Sequence, residues 1–163
     1  MIYIAIIGPG ESASPRDVAD AHSVGALCAG RGWITLTGGR NSGVMAAAAE
    51  GASSMGGLSI GILPGGDRSD AADSLTASLP TGLGEARNAL LVTAASGLIG
   101  CGISAGTLSE IALAVAVRRP LALVGANGAA VALLTSLPSD AFFADSAEAA
   151  VDWMARQLER GGG

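Results

Sequence analysis

Gly38-Gly39-Arg40-Asn41-Ser42-Gly43 puts one cation among glycines, between an apolar run ending at Thr37 and a helical pattern starting at Val44. Glycine lets backbone N–H groups converge on an anion with no Cβ in the way. A helix N-terminus adds roughly half a positive charge. The segment therefore has the parts of a phosphate or oxyanion cradle, with Arg40 as cation and Asn41 and Ser42 as donors. A tight strand-to-helix turn carrying a surface arginine is the alternative.

Two further stretches bear chemistry. In PTGLGEARN, residues 80–88, Arg87 falls in the first turn of its helix. A cation there opposes the helix dipole by about 0.3–1 kcal/mol. A bound anion between the two would remove the conflict, and so would an ion pair to Glu85 or another acid. In GISAGTLSE, residues 102–110, the pattern Thr107-x-x-Glu110 has the form of a capping box, which satisfies orphan N–H groups at a helix start. The alternative turns Glu110 into the same crevice as the arginines. A carboxylate beside a sugar there could stabilise an oxocarbenium-like centre or position a water.

Familiar nucleotide motifs fit poorly. A P-loop needs Gly-Lys-Ser/Thr, and this chain has no lysine. Gly8-Pro9-Gly10-Glu11-Ser12-Ala13 mimics GxGxxA after the first apolar run. The second run ends in Thr37-Gly38, with no acid to hold a ribose, so no nicotinamide dinucleotide is expected. Gly8 and Gly10 remain candidates to line a site.

The elements that must position these residues alternate regularly. Apolar runs at 2–7, 33–37, 58–63 and 98–101, a short one near 75–79, and later ones at 121–124 and 142–143 read as strands. Helical patterns fall between them, at about 15–29, 44–54, 85–95, 107–117, 129–136 and 146–158. Ser14-Pro15-Arg16-Asp17 is a helix start with a capping serine and an acid three residues on. Strands apolar on both faces and separated by helices predict an α/β fold, a single-domain doubly wound and mostly parallel sheet over residues 1–160. Ligands of such sheets bind beyond the carboxyl ends of the strands, where the strand order switches. The glycine turns after strands 1, 2 and 5 all lie at that edge. Residues 161–163, all glycine, read as a disordered tail.

Composition narrows the function classes. Half of the 163 residues are hydrophobic but few are aromatic, so the core must be built from Ala, Val, Leu and Ile. The net charge of −5 and nine scattered arginines argue against nucleic-acid binding. Cys28 and Cys101 have no metal-ligand spacing and read as packing thiols, and His22 reads as a packed or surface histidine. No metal ligand set is expected. The start runs straight into a glycine turn, and glycines punctuate the longest uncharged run. A cytoplasmic protein without leader or membrane span is the expectation.

Taken together, TGGRNSGVM at 37–45, GGLSIGILPG at 56–65, PTGLGEARN at 80–88 and AGTLSEIALA at 105–114 resemble the LOG-like Rossmann proteins, once widely labelled lysine decarboxylases. Within them the chain is most similar to the molybdenum cofactor carrier branch. The resemblance implies a Rossmann-like sheet of the LOG/SLOG type and a homodimer or homotetramer. It also implies a site at 38–45 together with Arg87 and Asn88, and Gly102, Ser104, Gly106 and Thr107, with Thr107 touching phosphate. In the phosphoribohydrolase branch, the positions of Arg87 and Glu110 are the catalytic pair. Here Arg40-Asn41 replace small residues, Ile103-Ser104-Ala105 replace most of a PGGxG turn, and Asn88 stands where the enzymes usually carry lysine. An extra cation suits a compact, highly charged cargo. The expected function is therefore carriage of molybdenum cofactor, or of a related molybdate or phosphate ligand, with hydrolysis of a nucleoside 5′-monophosphate as the alternative.

Overall fold

The computed structural model describes residues 1–161. Seven strands form one sheet in the order β4-β3-β2-β1-β5-β6-β7, and every neighbouring pair is parallel. The strands are β1 (Tyr3–Ile7), β2 (Ile34–Thr37), β3 (Ser59–Leu63), β4 (Ala77–Pro80), β5 (Gly97–Cys101), β6 (Leu121–Val124) and β7 (Phe142–Ala144). The helices are α1 (Pro15–Gly30), α2 (Gly43–Ser54), α3 (Arg87–Ala94), α4 (Ala105–Ala116), α5 (Gly128–Thr135) and α6 (Ala147–Gly161). The order runs outward from β1 in both directions, so the switch lies between β1 and β5. This is the predicted α/β architecture.

Alternation along the strands divides the core. Ile4, Ile6, Ile99, Cys101 and Val124 pack on one face with buried residues of α1, α2 and α6. Ala5, Ile7, Leu98, Leu121 and Leu123 pack on the other with Leu91 of α3, Ile111 of α4 and Leu134 of α5. Successive side chains of a strand point to opposite faces, so a doubly covered sheet needs apolar residues at both parities. With few aromatics available, close approach replaces bulk. A Cβ on Gly25 of α1 would lie 2.2 Å from the Ala48 carbonyl oxygen, and one on Gly51 of α2 would lie 2.0 Å from that of His22.

Several boundaries differ from the sequence expectation. Strand β4 begins at Ala77 and ends on Pro80, shifted from the expected run near 75–79. Proline is tolerated there because β4 is an edge strand. A 3₁₀ turn, Gly84–Ala86, precedes α3, so Arg87 opens the helix. Helix α4 starts at Ala105, two residues before the expected Thr107. Gly161 ends α6, and residues 162–163 of the expected tail lie outside the described residues.

Candidate functional site

The carboxyl ends of β1, β2 and β5 open into one cavity of about 1130 Å³ at the strand-order switch. Arg40 and Arg87 both line it. So do Gly8 and Gly10 from the first turn, and Gly38, Asn41 and Ser42 from the second. Asn88, Ser104, Gly106, Thr107 and Glu110 complete the expected residues that face it. Gly39, Gly43 and Gly102 do not line it. Gly39 and Gly43 have φ of +81° and +50°, and a Cβ on Gly43 would strike the Gly10 carbonyl oxygen. They shape the turn rather than the hollow.

Gly38 serves the hollow directly. A Cβ there would lie 2.6 and 2.7 Å from the two terminal nitrogens of Arg87. The guanidinium thus rests against bare backbone. Its Nη1 donates to Glu110 Oε1 at 3.4 Å, and both residues are only 6 % exposed. The ion-pair alternative for Arg87 is therefore realised, though with Glu110 and not with its neighbour Glu85. Nε of Arg87 is buried without a hydrogen-bond partner. Burial holds the Arg87 pKa below its usual value, against the pull of Glu110 and Glu85. Burial pushes Glu110 up from the ordinary carboxyl range to about 7, outweighing the nearby Arg87, while repulsion from Glu85 adds to the rise.

The capping-box expectation for Thr107 and Glu110 does not hold. Ser104 is the N-cap of α4 and accepts from the Thr107 amide, because the helix begins one turn-fraction earlier than the sequence pattern implied. The cap already satisfied, Glu110 is left to face Arg87. Helix α2 is different. Its N-cap, Ser42, makes no side-chain hydrogen bond to the first turn. The Val44 amide of that first turn donates instead to the Pro9 carbonyl at 3.0 Å, which ties the start of α2 to the β1 turn, while the Ser42 side chain faces the cavity.

Asn88 is 3 % exposed and gives an Nδ2 hydrogen to Ser109 Oγ at 2.8 Å. Ser109 in turn donates its only hydroxyl proton to the Gly106 carbonyl at 2.7 Å. The chain ties α3 to the first turn of α4. Arg40 is more open. Its Nη2 lies 4.0 Å from Glu85 Oε1, and the two side chains are 47 % and 69 % exposed.

The polar segment after β3 is neither free nor remote. Arg40 forms an antiparallel bridge with Ala71, Asn41 N donates to the Asp70 carbonyl, and Ala72 N donates to that of Gly39. Ser69 and Asp70 are thereby brought into the lining, as are Glu11, Ser12, Glu85 and Ser109. None of these was singled out as a site residue from the sequence. The available signal was position, since Glu11 and the 67–73 segment follow glycine turns at the same edge. Cys101 lies fully buried, its pKa raised by burial and by nearby acids, as a packing thiol should be. Among the described residues, no group of three or more His, Cys, Asp or Glu could hold a metal ion, and no helix is long and apolar enough to cross a membrane.

Comparison with known proteins gives the same architecture at full length. The molybdenum cofactor binding protein of the phototrophic bacterium Rippkaea orientalis superposes with a TM-score of 0.95 at 39 % identity, covering 96 % of this chain and 97 % of that one. The molybdenum cofactor carrier protein of Chlamydomonas reinhardtii superposes with a TM-score of 0.91 at 34 % identity, covering 98 % of both chains. An uncharacterised protein of Archaeoglobus fulgidus is 39 % identical over 115 residues, 70 % of this chain and 74 % of that one. The SLOG cluster4 family model matches residues 1–151, and the chain belongs to that family.

Proposed function

We propose that the protein is a carrier that binds molybdenum cofactor, or a related phosphorylated or oxyanionic ligand, at the carboxyl edge of the sheet without turning it over. One observation carries this. Two arginines from separate turns, with Asn41 and Ser42 just before α2, meet at one hollow at the strand-order switch. The volume, about 1130 Å³, accommodates a cofactor-sized molecule. Full-length similarity to proteins described as molybdenum cofactor binding and carrier proteins supports the choice of cargo. Arg40, Asn41 and Ser42 would receive the charged end from one side and Arg87 from the other. Assembly as a homodimer or homotetramer is part of the same reading, and exposed apolar side chains such as Leu79, Leu83, Leu90 and Leu108 are available for it. Equilibrium dialysis with purified cofactor tests the reading. Saturable binding at micromolar protein is expected, and binding at background level would overturn it.

A second reading has its own support. Arg87 and Glu110 form a buried pair in the cavity, and a carboxyl raised to about 7 suits acid–base work near neutrality. The pair fits cleavage of the N-glycosidic bond of a nucleoside 5′-monophosphate. Arg87 would hold the phosphate-bearing sugar, and Glu110 would stabilise cationic character and guide water. Release of free base from AMP or GMP, lost in Glu110→Gln, would establish this over carriage. An absence of free base from every nucleotide tried removes it.

A further inference from the structure

The lining of the cavity holds two cations, Arg40 and Arg87, against four carboxylates, Glu11, Asp70, Glu85 and Glu110. Each arginine already has an acid beside it, at 4.0 Å for Arg40 and 3.4 Å for Arg87. The Arg40 pair is exposed and weak, but an entering anion that takes Arg87 leaves Glu110 as a buried carboxylate without its partner. Balance requires either a divalent cation or a proton. Among the described residues no group of three or more His, Cys, Asp or Glu could hold a metal ion by itself, so the proton is the simpler counter-charge and magnesium shared with the ligand is the rival to be separated from it.

The four acids are not equivalent receivers. Glu11, Asp70 and Glu85 are exposed, where water screens their charge. Glu110 is buried, and its carboxylate touches the guanidinium that the anion must reach. The charged groups facing it are Arg87 at the start of α3 and Glu85 just before it, with Arg40 acting on Arg87 from the β2–α2 turn. Strand β6, also packed on α4, carries no charged residue.

We infer that the cavity takes up its anion together with one proton, which Glu110 accepts as Arg87 passes from its carboxylate to the ligand. This rests on the anion-binding function proposed above. The balance is simple: solvent supplies the proton, an O–H bond forms on Glu110, and no covalent bond of the protein or the ligand breaks. The neutral acid keeps its place beside Arg87 without competing for it. Burial has already raised the Glu110 pKa to about 7, so the proton is available near neutral pH. The affinity for an anion should then fall by about tenfold per pH unit on the alkaline side, the slope of one linked proton. The site would hold its cargo more loosely wherever the surroundings turn alkaline.

The experiment is isothermal titration of the full chain with sodium molybdate, an anion that does not itself titrate near neutrality, between pH 6 and 9. Each titration is run in two buffers of different ionisation enthalpy, which gives the number of protons taken up. Uptake approaching one proton per anion at pH 8, absent in Glu110→Gln with a pH-independent affinity, is the expected result. Binding without proton uptake overturns the inference and leaves the carrier reading intact. Uptake that persists in Glu110→Gln overturns the assignment to Glu110. Binding that appears only with magnesium overturns the proton in favour of a metal. An absence of molybdate binding at every pH, with or without magnesium, overturns the inference, and the cofactor dialysis then decides separately whether the carrier reading falls too. The two-buffer measurement on the unaltered chain stands even where the variant does not fold.

Discussion

Arg40 and Arg87 face one cavity under opposite conditions. The Arg40 side chain is 47 % exposed and 4.0 Å from an exposed acid, whereas that of Arg87 is 7 % exposed and 3.4 Å from a buried one. An exposed pair is screened and contributes little to folding, about 0–1 kcal/mol. A buried pair has lost its water, so each partner depends on the other. One arginine thus stands at the open side of the cavity, while the other is also part of the interior.

Removing Arg87 should break the contrast most severely. Arg87→Ala strands Glu110 in the interior, and the chain should lose about 3 kcal/mol, the lower end of the range for a broken buried pair because Glu110 can protonate. Urea unfolding measures the loss, and molybdate binding should disappear with it. A loss no larger than that of Arg40→Ala would abolish the distinction between the two arginines.

Gly38→Ala should come next. The new methyl must displace the Arg87 guanidinium or the Met45 sulfur, which would lie 2.8 Å away. Overpacking of this kind costs about 1–3 kcal/mol. Because the displaced group lines the cavity, the proposed anion binding should weaken about tenfold or more, and the same titration reads it. Unchanged affinity would mean that the position of Arg87 is not what the site depends on.

Glu110 sharpens the comparison through pH. Its folded-state value, about 7, lies above the ordinary 4.5. A raised acid favours the folded state below its unfolded value, and that contribution is lost as pH rises through the folded value. The unaltered chain should therefore lose melting temperature between pH 4.5 and about 7.5, relative to Glu110→Gln. Thermal melts of both proteins across that interval check the sign, and parallel curves would contradict it. Arg40→Ala should have the smallest effect on folding, within about 0.5 kcal/mol, while weakening anion binding by roughly tenfold through the loss of one charged contact. A melting temperature that moves as much as for Gly38→Ala would place Arg40 in the interior network as well.

The sequence disclosed the two halves of this site unequally. Glycine turns at the ends of apolar runs were legible, because strand burial and backbone freedom both leave marks in composition. They sufficed to place Arg40 at the edge of an α/β sheet, and the family resemblance added Arg87. The family resemblance paired Arg87 with Glu110, but the local pattern pointed elsewhere. Thr107-x-x-Glu110 satisfied a local rule, and only the earlier helix start at Ala105, with Ser104 as its cap, released Glu110 for a contact 23 residues away in sequence. Glu11, Ser69, Asp70 and Glu85 were missed as lining residues for a related reason. The 67–73 segment reaches the cavity through backbone hydrogen bonds to Gly39 and Asn41, which no side-chain pattern announces. Local chemistry was therefore readable, and the acids that temper it depend on tertiary docking.

The bare contact between α1 and α2 also limits which substitutions this chain can accept. Gly25 and Gly51 meet the carbonyls of Ala48 and His22 with no room for even a methyl group. Drift at either position requires the two rods to separate, and the loops that precede them, 8–12 and 38–42, would be carried apart together. Residues far from any ligand thus set the width of the mouth. An engineer wishing to admit a bulkier guest could begin there, with the arginines left untouched.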